Sequence, residues 1–434
     1  MNRIIAGICA GIGYLTFFSS VFAQGSLIPP GAPEPTMKTL GQIEPRVAIA
    51  NAGYHITNEG SFYLTTNLVV ASGQVGISIE ASNVSLDLGG FTIRGGANSL
   101  QGIALVGPIN HVKVQNGTIT GTSMGVDAGS ATHLKIDRLQ AVQCRAGGLL
   151  LGNEAVAADC LANSNTGPGI RAGTESQLQN CQANANSQNG IEAGAFSVAV
   201  NCTANKNAAN GLAAGDECKL AGITANENLQ AGITTGKGCN ITDASASGNN
   251  GNGISGGVVI LMTRCAANFN RASGLTCGSG GSIVDSAASG NNFVGIGGQE
   301  RCQIVNCKAD GNAGGGISVL TSSTVRDCNA QGNLFDGITA TDECSILRNR
   351  CNRNTRLTAA AGIHVSGSGN IIEENSCFSN DRGLGIDNGG NFVAKNTCSN
   401  NTLNFYINGD QTMGPIVTTI DPSEPVHLLS NFTF

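Results

Sequence analysis

A Gly-aliphatic pair returns along this chain at a nearly constant interval. Its aliphatic member falls at Ile77, Ile103, Val126, Leu149, Ile170, Ile191, Leu212, Ile233, Ile254, Leu275, Ile296, Ile317, Ile338, Ile363, Ile386 and Ile407, and Gly precedes fifteen of these sixteen. From Leu149 to Ile338 the interval is 21 residues nine times in succession; elsewhere it loosens to 21–26. Other columns keep the same register. Ten residues before each marker stand Cys or small residues (Cys160, Cys181, Cys202), and eight before it Ala (Ala162 to Ala330). Five before it runs an unbroken Asn column, Asn165 to Asn333.

Within a repeat the apolar positions lie two apart, as in Cys218-x-Leu220, and Gly or Asn breaks each run after four to six residues. That is strand alternation rather than a helical stripe. A helical solenoid would need longer runs per repeat. Each 21-residue unit is therefore expected to be one coil of short strands, stacked in parallel on the next at about 4.8 Å. Equivalent residues then pile into columns. Large inward aliphatics contribute about 1.5–3 kcal/mol each. The Asn column is expected to tolerate a left-handed turn and to bond amide to amide along the stack. A polar column ten after the marker, with Asp243, Arg264, Asp285, Asp327 and Arg348, reads as a second turn carrying exposed ion pairs.

Composition agrees with a long, thin core. Charged residues are 12%, about half the common share. Gly is 62 of 434, about twice its usual frequency. The net charge of −6 argues against a nucleic-acid footprint. Met1–Ala23 reads as a secretory signal peptide: Arg3, an apolar run Ile4–Phe18, and Val21-Phe22-Ala23 before the cut. No later segment is apolar enough to span a membrane. A secreted or extracytoplasmic location (periplasm or cell surface) follows. Residues 24–50 form a Pro-rich lead, 51–407 the solenoid and 408–434 a C-terminal cap.

Fifteen of the sixteen cysteines lie beyond the leader. Most share columns with Ala, Ile or Ser, which marks them as small core fillers and free thiols. Stacked cysteines would hold their Cβ atoms near 4.8 Å, wide of the ~3.8 Å a disulfide prefers. The absence of a CxxC motif leaves no zinc signature.

The segments Val84-Ser-Leu-Asp-Leu-Gly-Gly-Phe-Thr-Ile93 and Val114-Gln-Asn-Gly-Thr-Ile-Thr-Gly121, with the repeat, resemble the right-handed parallel β-helix (pectin lyase-like) superfamily of pectate lyases, polygalacturonases and phage tailspikes. The Pro-rich lead around Pro35–Leu40 and the tail Asn396–Ile407 with Gly414–Val417 are similar to secreted bacterial β-helix repeat proteins without an established reaction. The resemblance implies an all-β, single-stranded right-handed parallel β-helix of about 16 coils. It does not imply a function.

The outward position after the marker should line one strand face. No two carboxylates neighbour each other along it, and the polygalacturonase-type Asn-Thr-Asp, Asp-Asp and His-Gly signatures are missing. The candidate site lies near the last coils. His364 and Asp387, one coil apart, form a candidate base–orienter pair; Asn408, Asp410, Arg353, Arg356 and Arg382 are candidate binding residues, with Glu373 and Glu374 nearby. Two functions fit. One is a non-catalytic exported solenoid presenting a surface to cell-envelope, matrix or carbohydrate partners, without cofactor. The alternative is a polysaccharide lyase or glycoside hydrolase, for which Ca²⁺ would serve only the lyase chemistry.

Overall fold

The computed structural model describes residues 44–355, 359–419 and 426–434. The leader, residues 24–43 of the lead segment, and Arg356 fall outside the described residues. Among the described residues there is no helix; short strands pair only in parallel. Markers pair with markers, Ile170 with Ile191 and Ile191 with Leu212, so the 21-residue interval is one turn of a parallel β-solenoid.

Three parallel ladders run along the solenoid. The marker sheet holds seventeen strands among the described residues, from Tyr54–Ile56 to Leu403–Ile407. The seventeenth turn, one more than the sequence count, comes from Tyr54–Ile56, which pairs with Ile77–Ile79 but lacks the Gly-aliphatic marker. A second ladder contains Gln177–Gln179, Val198–Val200 and Lys219–Ala221. A third contains Ser245–Ser247, Ala266–Asn268 and Ala287–Ser289. Their inward residues, such as Ile233, Ile241 and Ala246, are completely buried.

Near the C-terminal end the markers differ from the sequence expectation. Ile363 pairs with Leu384 and then Phe405, while Ile386 and Ile407 align with Val365 two residues on. The 21-residue spacing thus persists, because Gly383-Leu384 is the true marker pair there. Gly385-Ile386 imitated it.

Left-handed backbone occurs at the corners. Residues six before the marker have φ near +55° (Ser164, Ala185, Lys206, Glu227, Phe269), as do those ten after it (Asn180, Asn201, Asp243, Arg264, Asp285). The buried Asn column follows the first corner and has no positive φ. Its cause is therefore the amide ladder alone, and the expected left-handed turn sits one residue earlier. In the ladder, Asn207 Nδ2 donates to Asn228 Oδ1 (3.0 Å) and to Ala183 O (3.0 Å), and the same Asn228 Oδ1 accepts the Asn207 backbone N–H (2.9 Å). This pattern runs from Asn165 through Asn333 and onward to Asn354, Asn380 and Asn401. A second ladder, Asn349–Asn375–Asn396, ends on Asn431 from the C-terminal tail.

The Asn column explains the marker glycine. A Cβ on Gly211 would stand 2.6 Å from Asn228 Nδ2 and 2.6 Å from the Gly232 carbonyl. The glycine makes room for the neighbouring amide, and the two columns are one device. The outer polar column carries two of the expected ion pairs: Arg264 grips Asp243 through two bonds of 2.7 and 2.9 Å, and Arg348 grips Asp327 at 2.8 and 3.1 Å, whereas Asp285 accepts from Asn306 Nδ2 at 2.6 Å instead. Exposed pairs of this kind contribute about 0–1 kcal/mol each. All fifteen described cysteines are free and buried.

Asn228→Ala removes the partner of the Asn207 backbone N–H, one of the two bonds of Asn207 Nδ2, and the partner of the Ala204 carbonyl in a buried column, at a cost of about 1–3 kcal/mol for each orphaned group. Hydrogen exchange should show the Asn207 amide losing protection. Gly211→Ala should reproduce that loss from the opposite side, whereas Lys206→Ala on the exposed corner should leave it unchanged.

Candidate functional site

The outward side chains of the marker sheet form a floor that reads Ser255, Thr276, Gly297, Ser318, Thr339, His364 along successive coils. His364 stands fourth in the five-residue strand Ala361–Val365. Its Nδ1 lies 3.0 Å from Asp336 Oδ2, and its Nε2 lies 2.9 Å from Asp387 Oδ2. Asp336 is fixed in turn by the Ala361 backbone N–H on Oδ1 (2.6 Å).

The structure thus brings His364 and Asp387 together and adds a third member, Asp336, that sequence reasoning missed. A signal was present: two positions before the marker, successive coils carry Ser273, Val294, Gly315 and then Asp336, a lone carboxylate in a column of small residues. Asp387 is not the direct ladder partner of His364, which is Gly385. It reaches the ring from two residues further on, just past the end of its strand.

Hydrogen bonding to Asp336, reinforced by Asp387, raises the His364 pKa to about 9 against the opposing effect of burial. At neutral pH the ring is an imidazolium with both N–H groups engaged by carboxylates. An imidazolium has no lone pair with which to take a proton. The arrangement is an ion triad that fixes two carboxylates, and Asp387 remains partly exposed.

The other candidates are scattered around this end. Arg382 stacks its guanidinium 3.9 Å from the centre of the Tyr406 ring, and Asn408 Nδ2 donates to the Tyr406 hydroxyl at 3.2 Å. Arg353 is an exposed left-handed corner residue after the third-ladder strand Arg350–Asn352. Asp410 is exposed and its carbonyl accepts the Gly390 N–H (2.7 Å). Glu373 and Glu374 pair with Lys395 at the end of a second-ladder strand. Among the described residues no group of three or more His, Cys, Asp or Glu side chains is placed to hold a metal ion.

Two coils before His364 the floor opens into a shallow trough of about 520 Å³, lined by Ser255, Thr276, Gly297 and Ser318 below and by Val258, Val294, Gln299 and Leu320 at its sides. None of its lining side chains carries a charge. Gly297 is the informative residue. Its φ is ordinary, and a Cβ would meet only Thr276 Cγ2 at 3.5 Å, a normal contact. Packing does not require glycine there, although glycine weakens a strand interior. Further toward the N-terminus the same face is polar: Arg171 pairs with Glu192, and Gln101 donates to Asp127 at 3.2 Å.

No family model matches the chain, and no curated protein matches it in sequence. Solved structures do. The A-module of mannuronan C-5 epimerase AlgE4 from Azotobacter vinelandii matches with 15% identity over 67% of this chain and 86% of its own, with a TM-score of 0.45. The pectate lyase Pel9A matches with 18% identity over 69% of this chain and 71% of its own (TM-score 0.30), and a double mutant of the periplasmic alginate epimerase AlgG with 10% identity over 87% and 78% (TM-score 0.32). The likeness is one of stacked coils and carries no chemistry across. The parallel β-helix expected from the sequence is established by the chain's own strand register.

His364 binds its proton more tightly folded than unfolded, so its contribution to stability is complete below its ordinary value near 6.5 and is lost as pH rises through about 9. Between about pH 6 and about pH 10 the native chain should therefore lose Tm relative to His364→Gln. Asp336→Asn should return the His364 titration, followed by NMR of the ring proton, toward its ordinary value.

Proposed function

We propose that this chain is an exported, non-catalytic β-solenoid whose outer marker face holds an extended, neutral polysaccharide strand of an envelope or matrix. The observation that carries the reading is the trough at Gly297. It is kept open by a glycine that packing does not demand, which is what close approach of a ligand calls for. Its floor offers Ser and Thr hydroxyls, which can donate and accept with sugar hydroxyls. Its sides offer Val258, Val294 and Leu320, apolar groups suited to the C–H faces of a pyranose ring. The floor repeats every coil, at about 4.8 Å, close to the length of one sugar unit in an extended chain. The uncharged lining favours a neutral glycan over an acidic one.

A second reading, a lyase or hydrolase, draws on the His364 triad roughly 10 Å along the same floor from Ser318, two coil spacings away. The engaged imidazolium argues against it as a base. Cleavage of any polysaccharide, with or without Ca²⁺, that disappears in His364→Ala or Asp387→Asn would overturn the non-catalytic proposal.

Gly297→Gln fills the trough at a site where a Cβ is accommodated. Binding to neutral polysaccharides in affinity electrophoresis should weaken at least about tenfold, or about 1.4 kcal/mol, with Tm unchanged or raised. Undiminished binding would contradict the proposed site.

A further inference from the structure

Beneath the trough two thiols meet in a way that the stacked cysteines do not. In the stacked pairs each thiol points to a carbonyl of the preceding coil: Cys218 to Gly194 O and Cys239 to Gly215 O (both 3.2 Å), Cys307 to Ile283 O (3.4 Å) and Cys328 to Ile304 O (3.5 Å). Each of these thiols thus has a carbonyl partner of its own. Cys277 and Cys302 are not column neighbours. Cys277 ends marker strand Leu275–Cys277, and Cys302 precedes second-ladder strand Gln303–Val305 on the next coil. They approach across a corner, with Sγ atoms 3.6 Å apart. Cys302 points to a carbonyl of the preceding coil, Gly278 O (3.3 Å), as the stacked thiols do, but it is also the one hydrogen-bond partner of the Cys277 thiol among the described residues.

Two glycines make this corner. A Cβ on Gly281, in the coil of Cys277, would lie 2.7 Å from Cys277 Cβ and 2.9 Å from its sulfur; a Cβ on Gly298, in the coil of Cys302, would lie 2.9 Å from Cys302 Cβ. Each coil thus holds one cysteine and one glycine at the corner, in opposite order, and each glycine vacates the space a thiol occupies. Cys277 and both coils' turns, Gly278 and Gln299, also line the trough, which gives a small reagent a way in.

We propose that Cys277 and Cys302 are a dithiol site that closes to an intrachain disulfide under the trough, fastening two consecutive coils. The electron acceptor is a low-molecular-weight disulfide. The Cys277 thiolate attacks one sulfur of the reagent, forms a mixed disulfide and expels one thiolate. The Cys302 thiolate then attacks the Cys277 sulfur, forms the Sγ–Sγ bond and expels the second. Two protein thiols and one reagent disulfide become one protein disulfide and two reagent thiols, with the two protons leaving to solvent or to those thiolates. Closure requires the sulfurs to move from 3.6 Å to about 2.05 Å, a side-chain rotation into the space beside the glycines. The inference is independent of what the trough binds.

The reduced full chain is incubated with oxidised glutathione, denatured, alkylated and mapped by mass spectrometry. The expected result is one crosslinked peptide pair joining Cys277 to Cys302, with the other thiols alkylated and Tm raised. Cys277→Ala and Cys302→Ser should each abolish it; both substitutions place residues found in the same columns of other coils (Ala172, Ala340; Ser176, Ser323), so both variants should fold. Alkylation of both Cys277 and Cys302 after oxidation, or crosslinking at Cys218–Cys239 or Cys307–Cys328 instead, would overturn the proposal.

Discussion

The bond from one asparagine amide to the next orders this molecule. Each buried Oδ1 accepts two N–H groups from the preceding coil, and each Nδ2 donates twice, so that a column that would be costly to bury half-satisfied is fully satisfied. That requirement propagates outward. The amide needs space, so from Gly148 to Gly383 the residue before the marker is glycine. The glycine sets the marker strand against its neighbour, and the strand puts one side chain per coil on the outer face. Twenty-six residues rather than twenty-one separate Asn354 from Asn380, yet the amide bond between them is kept.

With the interior so constrained, information about function concentrates on the few positions that packing leaves free. Most glycines have a steric cause: a Cβ on Gly211, Gly253 or Gly274 would collide with an amide nitrogen at 2.6–2.7 Å. Gly297 has no such cause, nor has Gly385 beside the His364 ring, where the nearest contacts are 3.5 Å or more. Both lie on the outer floor. Between them the face changes from hydroxyl-lined and uncharged to an ion triad. An extended strand along the floor would pass from one environment to the other.

The solenoid was legible because its columns repeat: an Asn at every twenty-first position is what a stack of 21-residue coils with a buried amide ladder demands. The site was legible only in part, because a site is where columns break. His364 and Asp387 drew attention as isolated charges, but a sequence register that took Gly385-Ile386 for the marker placed them as direct neighbours. The ladder pairs His364 with Gly385 instead. Asp336 went unnoticed because its column lies off the strand, in a turn that only three-dimensional stacking brings against the ring. The Cys277–Cys302 corner was hidden for a similar reason: its two halves belong to different columns of different coils, and column-wise reading separates them. The trough has no motif at all. It is defined by the absence of side chains.

Hydroxyl-radical footprinting of the full chain, with and without a neutral polysaccharide, tests the central claim most directly. Protection should be confined to Val258, Val294 and Leu320 at the sides of the trough, while exposed Phe196 and Leu229 stay fully reactive. Protection absent from the trough, or spread evenly over all exposed apolar side chains, would contradict the assignment of this face as the binding surface.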